Sequence, residues 1–249
     1  MITVSDIFNF LNSLCPADTA CDFDNVGILV GDAGAQVTSI VVALDCDNSA
    51  INQAIECGAE LIVAHHPVIF EPLKSVREND IVYRLIRNNI AVISMHTNLD
   101  IAQNGVTDTL CSVLGLTDVL PFTAHDGFSI RSAKTDIKDS VCLAEHIKSA
   151  LGGRVRFTES QSDICDVLVC SGSGGDFLED AVVGGFQALI TADIKHNVFV
   201  KAANCGVAVF DAGHYETENI IVNPLCERLE NQFSSLKIIP HSPDLIKSV

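Results

Sequence analysis

The sequence predicts an α/β protein built as two lobes with mostly parallel or mixed sheets packed together. Three observations predict it. Short apolar runs alternate with segments of helical spacing along nearly the whole chain, the signature of a mostly parallel sheet. No window approaches the roughly 20 apolar residues that a membrane span needs. The alternation is interrupted at "PFTAHDGFS" (121–129), where a Pro, a Gly and polar residues intervene, yet no low-complexity linker follows. A packed pair of lobes is therefore expected: the first over 1–124, joined by the C-terminal segment 215–249, and the second over 125–214.

In chain order, Ile7, Phe8, Leu11 and Leu14 recur at helical spacing behind Ser5, the expected N-cap. "SIVVALD" (39–45) is a buried strand, and "NSAINQAIECG" (48–58) a helix stopped by its Gly. "AELIVAHH" (59–66) is a strand, "DIVYRLIRNN" (80–89) a helix, "IAVISMH" (90–96) a strand and "VTDTLCSVLGL" (106–116) a helix. The second lobe repeats the idea. "DSVCLAEHIKSALGG" (139–153) is a helix, "RVRFTE" (154–159) and "DICDVLVCSG" (163–172) are strands, and "DFLEDAVVGG" (176–185) is a short helix. "ALITAD" (188–193) is a strand, "IKHNVFVKAANC" (194–205) a helix and "VAVFDAGH" (207–214) a strand. In the long helical stretch "ETENIIVNPLCERLENQF" (216–233), Pro224 should kink the helix or mark a break. "LKIIPH" (236–241) is the last strand.

Composition narrows the function. Apolar residues make up 48% of the 249 and charged ones 19%, an ordinary globular balance. The net charge of -17, without a basic stripe, argues against a nucleic-acid partner. The ten cysteines form no C-x-x-C pair, and the start "MITVSDIFNF" lacks a signal peptide's basic end and apolar stretch. Reduced thiols in a cytoplasmic protein are the expectation.

The candidate chemistry lies at strand ends. His65 and His66 in "AHHPV", His96 in "MHTNLD" and His214 in "DAGHYETE" all fall where predicted strands stop, with acids nearby. In open α/β sheets, ligands bind outside the carboxyl ends of strands. His214 and Glu218, four apart, share one helix face if a helix starts there, and Glu216 points elsewhere. Asp100 follows His96 by four residues, from an expected post-strand loop. Imidazole with carboxylate suits Zn, Mn, Fe or Ni. Five ligands (His65, His66, Asp100, His214 and Glu218) exceed the three of an open catalytic zinc, and suit two divalent metal ions. A single strand-end His is more often a hydrogen-bonded surface or core residue; the conjunction is what points to a metal. His96 is the candidate proton shuttle, or a group orienting a ligand. Asp193 and His196 in "TADIKHN" could line the same crevice. "SGSGG" (171–175) enters a helix and could cradle a phosphate on backbone amides, or be a plain tight turn. "FDNVGILVGD" (23–32) reads as a hairpin or turn.

The pieces "DNVGILVGD", "AHHPVIF", "HTNLDIA", "CSGSGGDFL", "LITADIKHN" and "DAGHYETE" resemble, in order, those of the Nif-three-like family, which includes the GTP cyclohydrolase 1 type 2 homologues. The resemblance implies a dinuclear metal centre in the cleft between two lobes, and a homohexamer built as a trimer of dimers. It carries the metal ligands over to His65, His66, Asp100, His214 and Glu218. A Trp that commonly precedes the "DN" of the family is Phe23 here. Two readings follow. One is a metal-dependent hydrolase acting on GTP or a related nucleotide as small-molecule substrate. The other is a non-enzymatic metal-binding scaffold or metal-handling protein assembled as a hexameric ring.

Overall fold

A computed structural model describes residues 1–246. They divide into two units, Met1–Gln103 with the chain from Ile221 onward, and Asn104–Ile220. The expected limits were 124/125 and 214/215; "PFTAHDGFS" lies inside the second unit.

The first unit begins with α1 (Val4–Leu14), which buries Val4, Ile7 and Leu11. Its N-cap is Thr3 rather than Ser5: Asp6 N donates to Thr3 Oγ1, and Thr3 N donates to the Asp6 carboxylate. This reciprocal box satisfies two amides that a helix start leaves open. Strand β1 (Gly27–Val30) is followed by β2 (Ser39–Ala43), α2 (Asn48–Cys57), β3 (Leu61–Ala64), α3 (Ile81–Arg87) and β4 (Ala91–Ser94). Strands β2, β3 and β4 are parallel, and Ala43, Ala64 and Ser94 stand level at their carboxyl ends. Strand β1 pairs antiparallel with β4, giving "GILV" a strand where a hairpin or turn was expected. A short helix, α4 (Thr97–Ile101), closes the segment.

The second unit starts with α5 (Val106–Val113) and continues into β5 (Thr117–Thr123) and β6 (Ser129–Lys134). These two strands form an antiparallel hairpin, with Ala124–Phe128 as its turn. The sequence hid them for a physical reason. Strand β5 is a largely exposed edge strand whose short "VLPF" run is broken by Pro121, which an edge tolerates. Then come α6 (Ser140–Leu151), β7 (Arg156–Phe157), β8 (Asp166–Ser173), α7 (Leu178–Val183), β9 (Ala188–Ala192), α8 (His196–Cys205), β10 (Ala208–Asp211) and α9 (His214–Glu218). The sheet order is β5-β6-β8-β9-β10-β7, with β8, β9 and β10 parallel. Both faces are covered, which explains the continuous apolar runs. Val167, Val169, Ile190 and Phe210 enter one core, and Leu168, Cys170, Leu189 and Val209 the other.

Returning to the first unit, the chain breaks at a 3-10 turn over Asn219–Ile221 and resumes as α10 (Val222–Gln232) and β11 (Lys237–His241). Pro224 lies in the first turn of α10, where its missing N–H costs no helical hydrogen bond. Strand β11 adds in parallel to β2, completing the order β1-β4-β3-β2-β11.

Candidate metal centre

The first unit gathers its polar residues just past the ends of β2, β3 and β4. His65 N donates to Ala43 O, and His66 N to Leu44 O. In a regular strand, successive amides face opposite neighbours. Here two in a row face β2, so the alternation is broken at the histidine pair. The rings of His65 and His66 consequently stand with centroids 5.0 Å apart. The His96 ring lies 5.3 Å from that of His65 and 5.6 Å from that of His66. Each of the three offers a ring nitrogen within 4.8 Å of the others.

What fixes these rings decides what they can bind. Nδ1 of His65 donates to Met95 O (2.8 Å), Nδ1 of His66 to Asp45 Oδ1 (2.7 Å) and Nδ1 of His96 to Asp24 Oδ1 (2.8 Å). With the proton on Nδ1, Nε2 carries the lone pair that can bind an ion. His65 is buried, and its Nε2 lies 3.6 Å from Asp100 Oδ1. Asp100 sits in α4 rather than in a loop; His96 occupies the N-cap position and accepts from Asp100 N (3.1 Å). The Asp24 side chain is fully buried. Burial alone would raise its carboxyl, but hydrogen bonds from His96 and Thr97 outweigh that and hold it well below the usual carboxylate range.

The second unit repeats the device past β9 and β10. His214 opens α9, and its Nδ1 donates to Asp193 Oδ2 (2.7 Å). Its Nε2 lies 2.9 Å from Glu218 Oε2, one helical turn on. Between two carboxylates the ring is held protonated, its pKa raised to about 9, chiefly by the hydrogen bond to Glu218 and against the opposing effect of burial. Asp193 adopts the left-handed conformation (φ 54°), as does Gly172 (φ +59°) at the end of β8. A Cβ at Gly172 would lie 2.0 Å from Glu218 Oε1, so glycine leaves the space that the buried carboxylate fills. Glu216 points elsewhere, its carboxylate lying against Gly153 and Gly213.

The structure thus groups His65, His66, His96 and Asp100 in the first unit, and His214, Glu218 and Asp193 in the second. His196 is exposed at the start of α8. In "SGSGG" two of the amides are committed within the fold: Gly172 N donates to Thr217 Oγ1 and Gly174 N to Thr191 Oγ1. Asp24 and Asp45 escaped the sequence reading as functional residues. The signal for Asp45 was its place at the end of the buried run "SIVVALD", two residues past β2, and for Asp24 the "DN" before Gly27. Imidazole nitrogens beside carboxylates form a donor set that fits a divalent metal once the proton on His214 is displaced.

Comparison with known proteins agrees with fold and motifs. The family model for Duf34/NIF3 (NGG1p interacting factor 3) matches residues 2–243. A "GTP cyclohydrolase 1 type 2 homolog" of Clostridium perfringens is 30% identical over 243 residues, covering 93% of each chain. The structure of the Staphylococcus aureus hypothetical protein SA1388 matches with a TM-score of 0.91 at 28% identity, covering 99% of both chains. A Bacillus cereus protein related to NIF3 shares the fold at a TM-score of 0.88 and 19% identity, covering 100% of this chain and 99% of that one. With the family model spanning almost the full length, this chain belongs to the Duf34/NIF3 family.

Proposed function

We propose that the protein is a metal-dependent hydrolase acting on GTP or a related nucleotide, with His65, His66, Asp100, His214 and Glu218 holding two divalent ions drawn from Zn, Fe, Mn and Ni. The observation that carries this is the common tethering of four imidazoles. His65, His66, His96 and His214 each commit Nδ1 to a carboxylate or carbonyl, which leaves Nε2 as the nitrogen for a cation; at His214 that cation would displace the proton Nε2 shares with Glu218. The nucleotide assignment rests on the name of the Clostridium relative.

When bound, two such ions supply a water of lowered pKa and polarise the group under attack. The chain's own residues do the rest. Asp45 and Asp193 hold the His66 and His214 rings at fixed angles. Asp24 stays ionised and keeps the His96 proton on Nδ1, so His96 Nε2 can accept a proton from the reacting side. Gly172 keeps room for Glu218. The homohexamer, a trimer of dimers, belongs to the same proposal, and light scattering checks it. Ten free cysteines among the described residues fit a reducing compartment such as the cytoplasm. No helix of the described residues is long and apolar enough to cross a membrane.

The test is to load the protein with Mn, Fe or Zn and measure formate and phosphate release from GTP, with elemental analysis of the bound metal. His65→Ala is expected to abolish turnover, and Asp100→Ala to lower metal content. Full activity in His65→Ala refutes the mechanism. Tight metal binding with no turnover across a nucleotide panel favours the metal-binding scaffold instead.

A further inference from the structure

We propose that Lys138 and Cys165 form a redox-responsive covalent pair, a lysine–oxygen–cysteine bridge made by peroxide and reversed by thiols. Lys138 Nζ lies 2.7 Å from Cys165 Sγ. N–H···O contacts already run to about 2.7–3.2 Å, and sulfur is the larger atom, so this approach is closer than an ordinary N–H···S contact. It is also too long for a direct S–N bond, and it suits one bridging atom.

The backbones of both residues are fixed side by side by strand pairing, which keeps the thiol within reach of the lysine side chain. Thr135 N donates to Cys165 O, and Ile164 N donates to Lys138 O. These bonds extend the β6–β8 ladder past its last pair, Lys134 and Asp166. Cys165 N and Asp166 N both donate to Gln187 Oε1, fixing the start of β8 from the other side. An oxidant has access: Lys138 is exposed, Cys165 is half-buried, and Lys138 borders an open polar cavity of about 330 Å³. The pair lies before β8, seven residues from Gly172, or roughly 23 Å along an extended strand. Chemistry here leaves the candidate metal ligands untouched.

The chemistry consumes two equivalents of hydrogen peroxide. In the first step the Cys165 sulfur attacks one peroxide oxygen. An S–O bond forms, the O–O bond breaks and water leaves, giving a sulfenic acid. Lys138, having given its extra proton to solvent, is then joined through Nζ to the sulfenic oxygen. A second peroxide takes the two electrons and two hydrogens lost as the N–O bond closes, and leaves as two waters. Thiol, amine and two peroxides thus become the bridge and three waters. The bridge ties together residues 27 positions apart in the chain, enclosing α6 and β7.

Peptide mapping of the full chain tests this. Protein purified under reductant is treated with hydrogen peroxide, alkylated and digested without reductant. The expected product is a linked pair of peptides carrying Lys138 and Cys165. Its mass is about 14 Da above the sum of the two peptides, one oxygen gained and two hydrogens lost. It disappears with dithiothreitol, and it is absent from Lys138→Arg and Cys165→Ser. Oxidised wild type melts higher than reduced, and Lys138→Arg shows no such rise. A linked pair about 2 Da below the sum overturns the oxygen bridge in favour of a direct S–N bond. Cys165 found as sulfinic acid or as a disulfide, with Lys138 unlinked, overturns the pairing itself.

Discussion

Gly172→Ala separates the geometry of the candidate centre from ordinary backbone strain. A Cβ at this position would stand 2.0 Å from Glu218 Oε1, 3.1 Å from its Cδ and 3.4 Å from Cε1 of His214. Two costs arise. Alanine in the left-handed conformation costs about 1–2 kcal/mol. The second cost is displacement of Glu218, which is only 4% exposed and cannot swing into solvent without losing its 2.9 Å contact with His214. A hydrogen bond to a charged group is worth about 1.5–3 kcal/mol. Together the loss is about 2.5–5 kcal/mol, or roughly 5–20 °C in melting temperature for a chain of this size.

Gly115→Ala is the matched control. Gly115 has φ +65°, and a Cβ there meets nothing within 4 Å. It incurs the backbone cost alone, about 1–2 kcal/mol. Thermal unfolding and metal content after dialysis are measured on wild type and both variants. Gly172→Ala should melt well below Gly115→Ala and lose bound metal, while Gly115→Ala keeps its metal in full. Equal melting of the two variants refutes the claim that Gly172 is needed for Glu218. A large fall in melting temperature with metal retained refutes Glu218 as a ligand.

Two further predictions follow from the tethered rings. Asp45→Ala and Asp193→Ala remove partly exposed carboxylates that only orient His66 and His214. Each should weaken metal binding by about 10–100-fold in a competition titration; Asp45→Ala should change stability by no more than about 0.5 kcal/mol, and Asp193→Ala should add a backbone cost of up to about 1–2 kcal/mol because position 193 stands at φ 54°. The metal-free protein should respond to pH through His214, whose pKa rises from 6.5 to about 9 on folding. A raised histidine stabilises fully below 6.5, and that stability is lost as pH rises through about 9. Metal-free melting temperature should therefore fall between those values, and Glu218→Gln should flatten the fall. Metal affinity should move the opposite way, rising with pH as the proton on His214 becomes easier to displace.

How legible all this was in the sequence depended on burial. Strands β2, β3, β4, β8, β9 and β10 are covered, so their apolar runs announced them, and the carboxyl ends of those runs located His65, His66, His96 and His214. Strand β5 was missed because Pro121 interrupts its short exposed "VLPF" run, and β6 because only Ile130 and Ala133 are apolar in "SIRSAK". Spacing found Glu218 through the helical repeat from His214. It could not find Asp24 and Asp45, which meet their histidines 72 and 21 positions away, a pairing that only the fold makes. The histidine pair itself shows what pattern alone omits. Strand alternation would place His65 and His66 on opposite faces. The backbone instead turns both amides toward β2, and that one irregularity brings the two rings to one end of the sheet. Its place directly after a regular parallel strand makes the irregularity a means of aiming two imidazoles from one strand end, and the Met95 and Asp45 acceptors hold each where it is aimed.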